Sequence, residues 1–235
     1  MHPLDGAHER VTRSSEHLSD LQSMVGEFLR SPIIATATVF NSQSQQPIVD
    51  ILAHPFAKEK FGPIPLRISI LVGEVIYNLR CSLDYLVYEL ACLDSKQIVE
   101  GTQFPIEDSG EAFVSRIGLI SDRRRKGVYL RGVSDTHVAL ISALQPCYGC
   151  HWTLVLRELS NPDKHRHLTI VNSPFFIASS PTDQTEAIIP SQPMQMNYKV
   201  TRQIAFDDGT FVIETLEQLQ SHVSETIDAL DSEFK

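Results

Sequence analysis

The stretch EVIYNLRCSLDYLVYE, residues 74–89, decides how this chain folds. Apolar residues in and around it recur at alternating spacings of four and three, as they do along one side of an α-helix. This apolar stripe consists of Val72, Ile76, Leu79, Leu83, Leu86 and Leu90. The pattern predicts a long helix from about Leu66 to Leu93, with one side buried against another helix.

The polar residues of the same helix fall into two groups. At about 100° per residue, Arg80 and Asp84 lie together on one flank of the stripe, and Glu74, Asn78 and Tyr85 lie on the other. Arg80 and Asp84 have the i,i+4 spacing of a helical ion pair, which contributes only a few tenths of a kcal/mol on an exposed surface. A functional site in this helix therefore requires a second polar segment.

The segment NPDKHRHL, residues 161–168, is the best candidate for that second segment. It is predicted to be a loop between a helix and a strand, and such loops often carry functional residues. His165 can act as an acid or base near neutral pH, whereas Lys164 and Arg166 can hold an anion. The alternative is a charged surface turn.

We therefore predict one polar pocket built by the 74–85 helix and the 161–167 loop. Its predicted catalytic residues are Arg80, Asp84, Tyr85 and His165. Its predicted ligand-binding residues are Glu74, Asn78, Asp163, Lys164 and Arg166. A metal site formed by Asp163, His165 and His167, joined by Glu74 or Asp84, is an alternative, but we expect no metal and no other cofactor.

The remaining pattern predicts an α+β fold in one domain, residues 1–235. Helices are expected at 4–29, as a short helix that ends the 104–117 segment, from Ser134 or Asp135 onward, from His151 to about Asn161, and at 217–234. Strands are expected at 33–40 and 47–56 as one hairpin, at 167–179, and in a second hairpin that joins QMNYKVTRQIAF to TFVIETL through Asp207-Asp208-Gly209. Helices flank hairpins here instead of alternating with single strands, which argues against a parallel sheet.

Composition narrows the class of protein. Hydrophobic residues make up 42% of the chain and the net charge is −9, so a globular core is expected and broad binding to nucleic acid or membranes is not. Neither a secretory signal nor a membrane-length apolar run is evident, so we expect a cytoplasmic protein. Its cysteines do not resemble a disulfide framework, and CYGCH, residues 147–151, is interpreted as two half-buried thiols at a helix start.

Two segments resemble a known family. GEVIYNLRCSLDY (73–85) and NPDKHR (161–166), with Phe104-Pro105-Ile106 and Gln145-Pro146 between them, are similar to bacterial and phage proteins that share an NLR-x-x-LD helix and a later DKHR segment. That family implies no established activity. The helix resembles more distantly the HEPN superfamily, whose ribonucleases use an Arg and a His. Arg80 matches that Arg, and Tyr85 stands where the related family has His.

Three functions remain open from the sequence. The first is a metal-independent, nuclease-like or phosphodiester-processing hydrolase, with His165 as acid or base and Arg80 stabilising phosphate charge. The second is a metal-dependent hydrolase that uses Asp163 and His165. The third is a non-catalytic binding or structural module. The expected partners are a small anionic ligand or RNA, and the HEPN resemblance implies a homodimer.

Overall fold

A computed structural model describes residues 2–30, 33–38, 63–117, 129–165, 170–178 and 195–234. Within these ranges, residues 33–38, 162–165, 172–178 and 195–202 are described by their backbone alone. The α-helices are α1 (Asp5–Leu29), α2 (Leu66–Ser95), α3 (Gly110–Arg116), α4 (Asp135–Ala143), α5 (His151–His165) and α6 (Val212–Leu230). The strands are β1 (Ile33–Thr38), β2 (Ile170–Ala178) and β3 (Gln195–Phe206).

The predicted long helix is confirmed as α2. Every member of its apolar stripe is at most 1% exposed. Helix α1 packs along α2, and α6 contacts both. The buried positions of α1 include Ala7, Leu18, Leu21 and Val25, which lie on one side of that helix. The three helices thus share one hydrophobic core.

The three strands form one antiparallel sheet in the order β1-β3-β2. In β3, Val200 pairs with Ile33 of β1 and with Phe176 of β2. The sheet and helices agree with the predicted α+β class. The predicted partner of β1, residues 47–56, lies outside the described residues, and β1 pairs with β3, which is far away in sequence.

The predicted hairpin after β3 is wrong in its second strand. A turn does follow β3, and Gly209 adopts a positive φ of 88° there. The bridge from Ala205 to Phe211 is isolated, and α6 begins at Val212, five residues before the predicted start. Val212 and Leu216 extend the helical spacing of the buried side of α6, and this burial outweighs the short strand-like alternation.

The predicted end of α5 is also wrong. Proline disfavours helix in the residue before it, so the sequence predicts an end near Asn161. The backbone of α5 instead stays helical through Pro162 to His165. Proline inside a helix removes one backbone hydrogen bond and crowds the carbonyl four residues earlier, but Leu156 and Leu159 hold the preceding turns against the core.

Candidate functional site

Arg80 and Asp84 bind the main chain of the segment that follows α2. Asp84 Oδ1 accepts a hydrogen bond from the Phe104 N–H at 2.8 Å, and Arg80 Nη2 donates one to the Phe104 carbonyl. The same Arg80 nitrogen lies 3.8 Å from Asp84 Oδ1, which completes the predicted i,i+4 pair. The two side chains therefore bind both the N–H and the carbonyl group of Phe104.

Gln145 fixes the next part of that segment. Its Oε1 accepts from the Glu107 N–H at 3.0 Å, and its Nε2 donates to the Ile141 carbonyl at 3.0 Å. Gln145 is fully buried, so both hydrogen bonds replace contacts with water. Glu107 is held in turn by an ion pair with Arg116 at 2.8 Å.

The NLR-x-x-LD, FPI and QP segments of this chain meet in these bonds. Each contributes a group to one network that packs residues 104–107 against α2 and α4. Burial lowers the pKa of Arg80, and the nearby Asp84 carboxylate opposes that effect. Arg80 Nη1 is buried and makes no hydrogen bond in the part of the chain that the structure describes.

The other polar flank of α2 faces α1 and lines an open cleft of about 370 Å³. We call it the α1–α2 cleft. Its lining residues are Arg10, Arg13, His17, Arg67, Ile70, Leu71, Glu74, Tyr77 and Asn78. Two predicted ligand-binding residues, Glu74 and Asn78, are therefore part of it. Tyr85, a predicted catalytic residue, lies beside it and contacts Arg10.

Arg10 makes more side-chain contacts than the other arginines of the cleft. Its Nη1 donates to Asn78 Oδ1 at 3.1 Å, and its Nη2 donates to the Tyr85 hydroxyl at 3.2 Å. The guanidinium also lies over the Tyr85 ring at 5.4 Å and over the Tyr77 ring at 6.0 Å. The hydrogen bond with Tyr85 raises the pKa of Arg10 above its ordinary value. Asn78 is oriented by its own bond to the Glu74 carbonyl at 2.8 Å.

The other basic side chains of the cleft are less constrained. Arg13 forms an ion pair with Glu16 at 2.6 Å, on the exposed side of α1. His17 Nε2 lies 3.9 Å from Glu74 Oε2. Arg67 is exposed and makes no ion pair within the described ranges.

The second predicted segment is described only in part. Asp163, Lys164 and His165 form the last turn of α5, so they are helical and not a loop. Their side chains, together with Arg166 and His167, lie outside the described residues. The predicted meeting of Arg80 with His165 therefore stays a prediction.

Cys147 and Cys150 are half-buried and lie just before α5, as predicted, whereas the side chains of the alternative metal site, Asp163, His165 and His167, lie outside the described residues. Cys81, Cys92, Cys147 and Cys150 are all free and half-buried, and burial raises the pKa of the Cys147 thiol. The described residues contain no group of three metal-ligating side chains. None of the helices in the described ranges is long and apolar enough to cross a membrane.

Comparisons with protein-family models, curated proteins and solved structures give no match to this chain. The site must therefore be interpreted from its own geometry. Sequence reasoning missed Arg10, Arg13, His17 and Arg67. A signal did exist for α1, because Arg10, Arg13 and His17 follow the 3 and 4 spacing that places side chains on one side of a helix.

Proposed function

We propose that this protein is a binding module for a small phosphate-bearing ligand, which enters the α1–α2 cleft. The observation that carries the proposal is the convergence of Arg10, Arg13 and Arg67, with His17, on one open cleft between two helices. Guanidinium groups bind phosphate oxygens in bidentate fashion. The ligand of this cleft is therefore expected to carry a phosphate group.

The arrangement favours binding over a purely structural role for these cations. Asn78 and Tyr85 hold Arg10 from one side, which orients its guanidinium before a ligand arrives. Such ordering reduces the entropy that binding costs. Arg67 lies on α2, across the cleft from α1, so the two helices contribute opposite sides of the site.

Charge favours a small ligand over a long polyanion. The whole chain carries a net charge of −9, so a nucleic acid extending beyond the cleft would meet an acidic surface. One carboxylate, Glu74, belongs to the lining, and its Oε2 lies 3.9 Å from His17 Nε2. Three arginines against one carboxylate give the lining an excess of positive charge, although Arg13 is also paired with Glu16.

Binding of inorganic phosphate and of a nucleoside monophosphate, measured by calorimetry, tests this proposal. Arg67→Gln is the sharpest variant, because Arg67 makes no ion pair among the described residues and its loss leaves the core intact. Loss of one charge-assisted hydrogen bond is expected to weaken binding roughly tenfold or more. Added salt is expected to weaken binding as well, because the site is open to solvent.

Arg131→Gln is the matched control, since Arg131 is an exposed arginine outside the cleft lining. It removes the same charge and is expected to leave phosphate binding unchanged. Equal affinity in wild type and Arg67→Gln would contradict the proposal, and so would equal losses in Arg67→Gln and Arg131→Gln.

Phosphodiester processing by Arg80 and His165 is the second candidate function. The observation that favours it is Arg80 Nη1, a buried donor with no hydrogen bond among the described residues.

A single-stranded RNA oligonucleotide, incubated with and without chelator, tests this second function. Cleavage that survives chelator and is lost in both Arg80→Lys and His165→Ala supports this function. Cleavage that chelator abolishes supports the metal-dependent alternative with Asp163 and His165. Phosphate binding without RNA cleavage would favour the binding module.

A further inference from the structure

A second cleft, separate from the α1–α2 cleft, lies where the start of α5, the turn after β3 and helix α6 meet. Its volume is about 780 Å³. We call it the α5–α6 cleft. Its lining residues are Gly149, Cys150, His151, Trp152, Val155, Glu158, Leu159, Phe206, Asp207, Asp208, Thr210, Thr215, Gln218, Leu219 and His222. Neither the predicted site nor the proposed function uses any of these residues.

The floor of this cleft is apolar. Phe206 and Leu219 are each 2% exposed and belong to the core, so they present a rigid surface from beneath. Val155 and Leu159, one helical turn apart on α5, are half-buried and add to that surface. A cleft of this size with an apolar floor suits the apolar part of a small organic molecule.

One wall of the cleft is aromatic. The rings of Trp152 and His222 stack with centroids 5.6 Å apart and an interplanar angle of 16°. The stack joins α5 to α6 and limits the rotation of the indole. Indole is the side chain with the strongest attraction for a nearby cation, through the negative face of its ring system.

The rim of the cleft is acidic. Glu158, Asp207 and Asp208 are all exposed carboxylates in the lining. Hydrogen bonds from the Thr210 hydroxyl and from the Thr210 N–H, at 2.7 and 2.9 Å, lower the pKa of Asp208. No lysine or arginine belongs to the lining of this cleft, whereas three arginines line the α1–α2 cleft.

We infer that the α5–α6 cleft binds an organic monocation with an aromatic or apolar body, of the arylalkylammonium class. The apolar floor takes the body, and the rim carboxylates of Glu158 and Asp207 take the ammonium group. The inference does not depend on the proposed phosphate site, since the two clefts share no residue.

Fluorescence provides a direct test, because Trp152 is the single tryptophan of the chain. Three probes with similar bodies differ in charge: phenethylammonium, 2-phenylethanol and 3-phenylpropionate. Each is titrated while tryptophan emission is recorded, and calorimetry on the same samples provides a second measurement. We expect phenethylammonium to bind at least about tenfold more tightly than the alcohol, and the carboxylate to bind most weakly.

The double variant Glu158→Gln/Asp207→Asn removes the charges and keeps the side-chain sizes. We expect it to bind phenethylammonium about tenfold more weakly and to bind 2-phenylethanol as wild type does. Asp208 is left in place because it holds the turn at Thr210. The matched control is Asp20→Asn/Glu27→Gln, which removes the same charges from the exposed face of α1.

Three results would overturn the inference. The first is equal binding of the ammonium and alcohol probes by wild type. The second is an equal loss of ammonium binding in the cleft variant and in the control. The third is the absence of saturable binding in both fluorescence and calorimetry.

Discussion

At the scale of single residues, Asp84 shows how a polar group that looks catalytic can serve the fold. Its carboxylate sits on the flank of a long helix, as the helical period predicts, and accepts the N–H of Phe104. Phe104 itself is fully buried. A backbone N–H beside such a side chain has little access to water, so it needs a protein acceptor.

Replacing Asp84 tests that role. Asp84→Ala leaves the Phe104 N–H without this acceptor and is expected to lower the free energy of unfolding by about 1–3 kcal/mol. Asp84→Asn keeps an oxygen at the same place and is expected to cost less. Urea denaturation measures both, with Asp20→Ala on exposed α1 as the control. Equal stabilities for the Ala variant and wild type would show that the hydrogen bond does not hold the segment.

At the scale of elements, the two short helices α3 and α4 begin with the same device. Ser109 accepts the Ala112 N–H at 3.1 Å, and Ser134 accepts the His137 N–H at 3.4 Å. Short helices gain little from helix propagation, so capping and tertiary contacts decide whether they form. Ser134 has a further role, because its hydroxyl also lies 3.2 Å from His137 Nδ1.

Serine-to-alanine changes separate these roles. Ser109→Ala is expected to lower the free energy of unfolding by about 1 kcal/mol, the usual loss for an N-cap. Ser134→Ala is expected to cost more than Ser109→Ala, because it removes the contact with His137 as well. Thermal unfolding measures both changes. Ser23→Ala, in the exposed middle of α1, is the control and is expected to be neutral or slightly stabilising. A Ser134→Ala variant as stable as this control would contradict the capping role.

At the scale of the whole molecule, a buried histidine joins elements that are far apart in sequence. His137 of α4 is 6% exposed and lies 2.7 Å from Asp94 Oδ2 at the end of α2. Its other nitrogen lies 3.5 Å from Glu233 in the C-terminal 3₁₀ helix. Asp94 Oδ2 also accepts the Ser134 N–H at 2.7 Å. His137 therefore links the end of α2 and the start of α4 to the C-terminal residues of the chain.

Because of this network, we expect the stability of the fold to depend on pH in the acidic range. Burial tends to raise the pKa of Asp94, but hydrogen bonds from Ser134 and His137 outweigh it, so the pKa lies below the ordinary value of 3.8. A carboxyl whose folded pKa is depressed contributes stability above its unfolded pKa and loses that contribution as the pH falls through the folded pKa. We therefore expect wild type to lose stability below about pH 4.

Asp94→Asn isolates that contribution. The variant is expected to be less stable than wild type at neutral pH, and the difference is expected to shrink as the pH falls below about 4. Urea denaturation at a series of pH values measures the two curves. Asp20→Asn, which removes an exposed carboxylate, is the control. A constant difference between wild type and Asp94→Asn across that range would show that Asp94 ionisation does not stabilise the fold.

Much of the architecture followed from periodicity. The stripe from Val72 to Leu90 predicted a helix and its buried side, because a 3.6-residue period leaves few alternatives over so many turns. The boundaries of α5 and α6 were less predictable. The residues TFVIETL alternate over too short a stretch to separate strand from helix, and only the burial of Val212 and Leu216 against the core decides between them.

The sequence by itself determined the long helix, its two polar flanks and the strand that became β3, since these depend on spacing along the chain. Only the tertiary structure decided which flank holds the main chain of Phe104 and which faces a cleft. The reason is physical: spacing within one helix orders its own side chains, whereas Arg10, Phe104 and Gln145 come from distant segments. Their approach to α2 is set by packing of the whole core, which no local pattern encodes.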